Sequence, residues 1–505
     1  MRKIPPLLVA IGLLIAGAGS SADAGSDVAG QVLPPSPVAT PAEPVLAGPA
    51  ASAPLPTSAG LGIALGPLLA DPVLGPAVGA VVLDGLTGTV LYDRDSQLAR
   101  VPASVAKLVT GAAALLALGP ERVLETRVVE GAAPGEVILV GAGDATLTAA
   151  VQPPEAYPRE ASLAELAVQT AAALRLNPAP TASPGPAQTS PADTAPPAAP
   201  PTPPTPPTPA TPPPTATAAT PAPATPAQPE PVVIRVDDSL FAGPAVNPAW
   251  EPSYLAAGAV APVSALAVDG GRTVPGGRTR SPDPALAAGQ AFADLLRGAG
   301  VAVAPDVARA VAPPGARELA SVTSPTVAVM VEYTLRTSDN DVAEALLHLA
   351  AAERGAPVTA AGGGQSATKV LAEQRLPAPE ALLDGSGLAR GSRISPAVLT
   401  QLLVAAGGRE RADLWPLVTG LPVAAFSGTL VDRFGGTTPG PGAGFVRAKT
   451  GTLNGVNSLA GIVEDADGRL LVFAVLADAA PATGLGPARA VLDRIGATLA
   501  ACGCR

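Results

Sequence analysis

A proline-rich stretch at residues 178–231 sets the strongest limit on how this chain can fold. It holds 22 prolines in 54 residues and no Val, Ile, Leu or aromatic residue. Such a segment buries too little apolar area to offset the loss of chain entropy, which favours an extended, solvated conformation. A helical pattern at 163–176 precedes it and a strand-like run at 232–236 follows it. The sequence therefore predicts a disordered linker inserted into a short helix-to-strand loop.

The patterned segments outside the linker alternate between strands and helices. Strand-like runs lie at 78–83, 89–92, 445–450, 458–464 and 470–476. Helical patterns lie at 103–118, 325–336, 342–352 and 487–501. Strands at both ends with helices between them are typical of one antiparallel sheet built from both termini. We expect an α+β fold in which residues 65–118 and 311–505 form the domain that contains this sheet and residues 119–310 form an inserted region.

The N-terminus is typical of an exported protein. Arg2 and Lys3 precede an apolar run at 4–18, which ends shortly before a small-x-small cleavage candidate at 22–24. Because the run is short for a membrane span, we predict a cleaved signal peptide at residues 1–24, with an uncleaved anchor as the alternative. Residues 25–64 are predicted to be a Pro/Ala-rich tether. The expected location is extracytoplasmic, and association with a membrane surface stays open.

Charge and the few reactive side chains exclude several classes of protein. The net charge is -10 and no basic patch occurs, so nucleic acid is not an expected partner. The two cysteines, Cys502 and Cys504, and the single histidine are too few for a typical metal site. We expect no metal and no cofactor. His348 falls in a Leu/Ala-rich helical pattern, and we interpret it as a structural residue.

Ser104 and Lys107 give the first chemical signal. Of the 31 basic residues only four are lysines: Lys3, Lys107, Lys369 and Lys449. Residues three apart share one face of a helix, so the serine hydroxyl and the amine of Lys107 should meet. Apolar neighbours should lower the pKa of that amine and let it accept the proton of a serine nucleophile. An arginine cannot do this, because it does not deprotonate.

Two further motifs follow Ser104 and Lys107 along the chain. Ser338-Asp339-Asn340 lies between two predicted helices, where Asp339 is interpreted mainly as a helix cap, and Lys449-Thr450-Gly451-Thr452 ends an apolar strand. Ser-x-x-Lys, Ser-Asp-Asn and Lys-Thr-Gly together are the signature of class A β-lactamases and penicillin-binding proteins. A second Ser-x-x-Lys match, Ser366 to Lys369, follows a Gly-rich stretch predicted to be a loop and an exposed helix start, and we interpret it as a coincidence.

Four more segments resemble the low-molecular-mass class C penicillin-binding proteins. This is the D-alanyl-D-alanine carboxypeptidase/endopeptidase group related to penicillin-binding protein 4, the peptidase S13 family. The segments are residues 140–147, 237–241, 261–266 and 384–388. Ala142 and Ala145 depart from the Gly and Pro that are usual in the family. The resemblance implies a serine β-lactamase/DD-peptidase (transpeptidase-like) fold with an antiparallel sheet between helices. It also implies one or more domains inserted between the first and second motifs.

The resemblance implies a role for each motif residue. Ser104 would attack the D-Ala-D-Ala carbonyl, and Lys107 would accept its proton. Ser338 would relay a proton to the leaving D-alanine. Asn340 would bind the substrate amide, and Lys449 would set the local electric field.

The remaining roles concern substrate binding. Thr450 and Thr452 would hold the terminal carboxylate, and Gly451 would allow close approach of two backbones. The backbone N–H groups of Ser104 and Thr452 would form the oxyanion hole. The family uses an inserted domain to contact the diamino acid of the stem, and Glu251 is our candidate for pairing with its free ammonium group.

We therefore expect a serine D-Ala-D-Ala carboxypeptidase/endopeptidase that cleaves peptidoglycan stem peptides through a Ser104 acyl-enzyme. It would remodel the cell wall, and β-lactam antibiotics would inhibit it covalently. One alternative is a β-lactamase, which shares the three motifs but has a much shorter gap between the first two. A second alternative is a catalytically silent wall-binding protein, against which the intact motif residues argue. The sequence does not decide between carboxypeptidase and endopeptidase cleavage.

Overall fold

The structure, a computed structural model, describes residues 52–176, 230–435, 440–481 and 485–505. Its helices are α1 (Ser58–Leu69), α2 (Lys107–Leu118), α3 (Leu163–Leu176), α4 (Ser253–Ala256), α5 (Pro284–Gly298), α6 (Val327–Thr337), α7 (Asn340–Glu353), α8 (Ala360–Glu373), α9 (Pro396–Gly407), α10 (Pro416–Thr419) and α11 (Leu485–Ala500). Its strands are β1 (Val78–Asp84), β2 (Val90–Arg94), β3 (Glu125–Glu130), β4 (Glu136–Val140), β5 (Val232–Asp237), β6 (Val303–Arg309), β7 (Glu318–Thr323), β8 (Val446–Leu453), β9 (Val456–Glu464) and β10 (Leu470–Ala477).

The first sheet takes its strands from both ends of the described chain. Its order is β2-β1-β10-β9-β8, and every neighbouring pair is antiparallel. Side chains alternate between its faces. Val81 and Leu83 of β1 join a core with α2, α7 and α9, whereas Ala80 and Val82 join a core with α1 and α11. The predicted antiparallel sheet between helices is therefore present.

A second sheet lies in the region predicted to be inserted. Its order is β6-β5-β4-β3-β7, with β4, β5 and β6 parallel to one another and β3 antiparallel to both of its neighbours. Apolar residues of α3 and α5 cover this sheet and form a separate core with it, including Leu166 and Phe292. Strand β7 belongs to this sheet because Thr323 pairs with Glu125 of β3. The inserted sheet thus extends past residue 310, where we predicted the region to end.

The first helix also departs from the predicted boundary. We placed residues 58–64 in the tether, but α1 begins at Ser58, where the Thr57 hydroxyl accepts a hydrogen bond from Gly60 N–H at 3.0 Å. Leu61, Leu65 and Leu69 recur every four residues and are buried against the first sheet. These residues are therefore part of the folded core.

Several predicted segments lie outside the described residues. These are the signal peptide at 1–24, the tether up to residue 51 and the linker from 178 to 229. The elements on either side of the linker are present as predicted, since α3 ends at Leu176 and β5 begins at Val232. Within the described ranges, no helix has the length and apolar character needed to cross a membrane.

Candidate active site

Ser104 lies on a single 3-10 turn, Ala103–Ala106, that runs directly into α2. The residue before it, Ala103, has φ 50°, a left-handed backbone conformation that residues other than glycine rarely adopt. Its carbonyl packs so closely against Gly387 that a Cβ at position 387 would collide with it. Close backbone packing thus fixes the half-buried Ser104 at the start of α2.

Lys107 is fully buried and directs its amine at three oxygen atoms. Nζ lies 3.1 Å from Ser104 Oγ, and it donates to Asn340 Oδ1 at 2.7 Å and to the Ser386 carbonyl at 2.6 Å. The structure therefore brings the serine and lysine of the first motif together. It also adds Ser386, which the sequence analysis did not assign to the site.

Burial determines how basic this amine is. Removal from water disfavours the ammonium form and lowers the pKa of Lys107 to about 8. The carboxylates of Asp384, Glu344, Asp339 and Asp341 act in the opposite direction, in that order of size. A pKa near 8 leaves part of the amine uncharged near neutral pH, as a general base requires.

The second and third motifs meet at Ser338. This residue ends α6 with φ 61°, and its hydroxyl accepts a hydrogen bond from Lys449 Nζ at 2.9 Å. Lys449 also donates to the Thr450 carbonyl at 2.9 Å. Burial lowers the pKa of Lys449 well below its usual value, and the nearby charge of Lys107 lowers it further. The site thus holds two buried amines, each bonded to a serine hydroxyl.

Asn340 connects the second motif to the first. Its Oδ1 accepts from Lys107, and its Nδ2 donates to the Ala259 carbonyl at 2.8 Å. Each end of the side chain has one partner within the protein, so Asn340 helps to hold the lysine. Its amide still has a second N–H to donate, and the contact with the substrate amide stays a prediction. Asp339 caps α7 by accepting from Val342 N–H at 3.0 Å.

Strand β8 carries the third motif at the edge of the first sheet, where β9 is its partner among the described strands. Gly451 lies where a Cβ would be 2.7 Å from the Pro102 carbonyl and would also collide with Ser458 Oγ. The missing side chain therefore lets the segment before Ser104 pack directly on β8. Thr450 Oγ1 lies 3.0 Å from Thr429 Oγ1, and Thr452 lies on the same strand.

Asp384 organises the loop that holds Lys107. Its buried carboxylate accepts hydrogen bonds from Trp250 Nε1 at 2.9 Å, Ser386 Oγ at 3.0 Å, Gly387 N–H at 3.1 Å and Ala389 N–H at 2.7 Å. These bonds fix the backbone around the Ser386 carbonyl. Residues 384–387 belong to one of the segments that carry the family resemblance, and the structure gives them this supporting role.

Glu251 lies close to the end of β8. Its carboxylate forms an ion pair with Arg390, with 2.5 Å between Oε1 and Nε, and Arg390 also donates to the Asn454 carbonyl at 2.6 Å. A substrate ammonium group would have to share Glu251 with this arginine. The assignment of Glu251 to substrate binding stays a prediction.

The Gly-rich stretch before the second Ser-x-x-Lys match lies inside α8 and is buried, which corrects our prediction of a loop and an exposed helix start. Its glycines lie inside α8 because helix packing leaves no room for side chains there: a Cβ at Gly364 would collide with the Leu382 carbonyl. Ser366 is buried and Lys369 is exposed, so the two side chains occupy different environments.

The single histidine and the two cysteines have structural roles. His348 is buried, with Nδ1 2.8 Å from the Glu344 carbonyl and its ring centroid 5.0 Å from that of Phe241. Cys502 and Cys504 form a disulfide. Among the residues that the structure describes, no group of three or more His, Cys, Asp or Glu side chains could hold a metal ion.

Comparisons with curated proteins identify similar chains over most of this length. Carboxypeptidase DacB of Mycolicibacterium smegmatis is 33% identical over 485 residues, covering 94% of this chain and 91% of the relative. Carboxypeptidase Rv3627c of Mycobacterium tuberculosis is 34% identical, covering 89% and 85%. D-alanyl-D-alanine carboxypeptidase of Actinomadura sp. is 31% identical, covering 80% and 78%.

A solved structure has the same fold. Penicillin-binding protein 4 of Haemophilus influenzae superimposes with a TM-score of 0.61 at 19% identity, covering 87% of this chain and 98% of that protein. The predicted fold class is thereby confirmed. The family model described as D-Ala-D-Ala carboxypeptidase 3 (S13) matches residues 61–171 and 276–498. The chain therefore belongs to the S13 family of serine D-Ala-D-Ala carboxypeptidases, as its motifs predicted.

Proposed function

We propose that the protein is a serine D-alanyl-D-alanine carboxypeptidase/endopeptidase that cleaves peptidoglycan stem peptides through an acyl-enzyme on Ser104. The observation that carries the proposal is the 3.1 Å contact between the buried amine of Lys107 and Ser104 Oγ. Family membership supports the same activity. It does not favour the two alternatives, a β-lactamase and a silent wall-binding protein.

Acylation uses Ser104 and Lys107. Ser104 Oγ forms a bond to the carbonyl carbon of the D-Ala-D-Ala peptide, and its proton passes to Lys107 Nζ. The carbonyl oxygen then carries negative charge. We assign the stabilisation of this charge to the backbone N–H groups of Ser104 and Thr452. One such donor typically contributes about 3–4 kcal/mol to lowering the barrier.

Release of D-alanine uses Ser338 and Lys449. When the peptide C–N bond breaks, the leaving nitrogen needs a proton, and the Ser338 hydroxyl can pass one on because Lys449 Nζ is bonded to it. Water then attacks the ester on Ser104 and frees the shortened stem. If the attacked bond lies in a cross-link rather than at a free end, the same steps give endopeptidase cleavage.

Substrate binding should favour the protonation states that acylation needs, with Lys449 charged and Lys107 neutral. The terminal carboxylate of the substrate, held at Thr450 and Thr452, would lie beside Lys449 and favour its ammonium form. Charge on Lys449 then disfavours charge on Lys107, since the two amines repel each other. Lys107 would thus become the free base when substrate is present.

The proposal includes the cellular setting expected from the N-terminal sequence. We place the protein outside the cytoplasm, in the cell wall or a periplasm-like space, with membrane-surface association through its N-terminus as an option. The apolar run at 4–18 and the cleavage candidate at 22–24 support export. β-Lactam antibiotics would act as covalent inhibitors because they mimic the D-Ala-D-Ala end.

Defined muropeptides provide the direct test of activity. Purified protein incubated with a pentapeptide stem should remove one D-alanine, seen by mass spectrometry as loss of that residue. A cross-linked dimer should yield monomers if endopeptidase cleavage also occurs. Protein treated beforehand with benzylpenicillin is the matched control. Failure to change either substrate, by protein that melts cooperatively, would contradict the proposed function.

A further inference from the structure

Glu344 contacts the loop that holds the catalytic lysine, although the mechanism above does not use it. It lies on α7, one turn after Asn340, and is 1% exposed. Its Oε1 accepts a hydrogen bond from Ser386 N–H at 2.8 Å. The carbonyl of Ser386 accepts from Lys107 Nζ at 2.6 Å. Glu344 is therefore linked to the base through a single residue.

The packing between Glu344 and this loop leaves little room for movement. A Cβ on Gly385 would collide with the Ala343 carbonyl and would lie 3.1 Å from Glu344 Cα. Residues 384–387 thus rest directly on α7 at Glu344. A displaced Glu344 side chain would displace Ser386, and with it the acceptor for Lys107.

The second oxygen of Glu344 differs from the first. Oε2 is buried and has no hydrogen-bond partner among the described residues. Glu344 also lines, together with Asp341, a cavity of about 20 Å³, which is room for one water molecule. A buried carboxylate with an unpaired oxygen costs more free energy than the protonated acid does. Burial, and then the charge of Asp384, raise the pKa of Glu344 to about 8.

Charged groups face Glu344 from each element packed around it. Asp384 approaches from the loop, and Lys107 from α2. Asp341, on α7 itself, lies 3.0 Å from Arg280. The buried His348 follows on the next turn, where burial lowers its pKa and favours the neutral ring. Lys107 is thus the basic group whose titration range overlaps that of Glu344.

We propose that Glu344 is a positioning residue for Lys107: it holds the Ser386 carbonyl against the lysine amine, and its own protonation controls how readily that amine loses its proton. An ionised Glu344 favours the ammonium form of Lys107, and a neutral Glu344 favours the free base. The two groups therefore titrate as a coupled pair. The inference rests on the proposed function, in which Lys107 is the base.

Glu344→Gln tests the coupling without removing the acceptor for Ser386 N–H. The amide carries no charge at any pH, so Lys107 should lose its proton more easily. On the acidic side of the pH profile, the acylation rate rises as Lys107 loses its proton. This acidic limb should move to lower pH by about half a unit. The readout is the second-order rate of labelling by a fluorescent penicillin between about pH 5 and about pH 9. Glu353→Gln, an exposed position on the same helix, should leave the limb in place.

The outcomes separate this inference from the proposed function. A folded Glu344→Gln protein whose limb stays in place, or moves to higher pH, would overturn the inference. Absence of labelling in the unsubstituted protein would instead contradict the proposed function. If Glu344→Gln does not fold, unsubstituted protein made with ¹³C-labelled glutamate should show an infrared band of a protonated carboxyl group at about pH 7 that disappears by about pH 9. No such band would equally overturn the inference.

Discussion

Lys107→Arg should slow acylation by a β-lactam on the order of 10²–10⁴-fold, although the positive charge is kept. The guanidinium group does not deprotonate, so it cannot accept the proton of Ser104 Oγ. The site is also built for a single nitrogen, because one Nζ is shared among three acceptors at 2.6–3.1 Å in a fully buried position. Rates of labelling by a fluorescent penicillin give the measurement.

Lys369→Arg is the matched control for this substitution. Lys369 is the lysine of the second Ser-x-x-Lys match and is exposed, so the control should label at the unsubstituted rate. The comparison requires that both variants have the same melting temperature, so that a difference in labelling rate does not come from unfolding. Full-rate labelling of a folded Lys107→Arg protein would show that the base lies elsewhere.

Asp384→Ala should destabilise the protein by at least about 4 kcal/mol, because it leaves four buried donors without an acceptor at about 1–3 kcal/mol each. The donors are Trp250 Nε1, Ser386 Oγ and the N–H groups of Gly387 and Ala389. A loss of this size is a large part of the total stability of a typical domain. Acylation should fall with it, since the Ser386 carbonyl loses its support.

Urea unfolding gives the free energy of unfolding for this comparison. Asp432→Ala changes an exposed aspartate and should alter that free energy by less than about 0.5 kcal/mol. If Asp384→Ala cost less than about 1 kcal/mol, the loop would not depend on this carboxylate as described.

The contact between Ser104 and Lys107 could be predicted from sequence because it depends on local spacing. Ser104 and Lys107 are three residues apart, and their side chains meet in any helical turn. The turn is a 3-10 segment rather than the interior of an α-helix, yet residues three apart align there as well. The first sheet was also predictable, since three of its strands, β1, β9 and β10, are largely apolar.

Other features depend on tertiary contacts that spacing does not reveal. Strand β7 is short and only partly buried, and its place in the second sheet depends on pairing with β3 far away in sequence. The role of Ser386 depends on its carbonyl, which carries no sequence signal. Glu344 could have been noticed, because it lies four residues after Asn340 and therefore on the same face of α7.

The central claim is that Ser104 is the nucleophile, and locating a penicillin adduct tests it most directly. Trypsin cuts after Arg100 and Lys107, which releases residues 101–107 with Ser104 as their one hydroxyl residue. Ser366 falls in a different peptide, residues 355–369. The penicilloyl mass is expected on the first peptide and should be absent from the Ser104→Ala protein. An adduct on residues 355–369, or labelling that survives Ser104→Ala, would contradict the account.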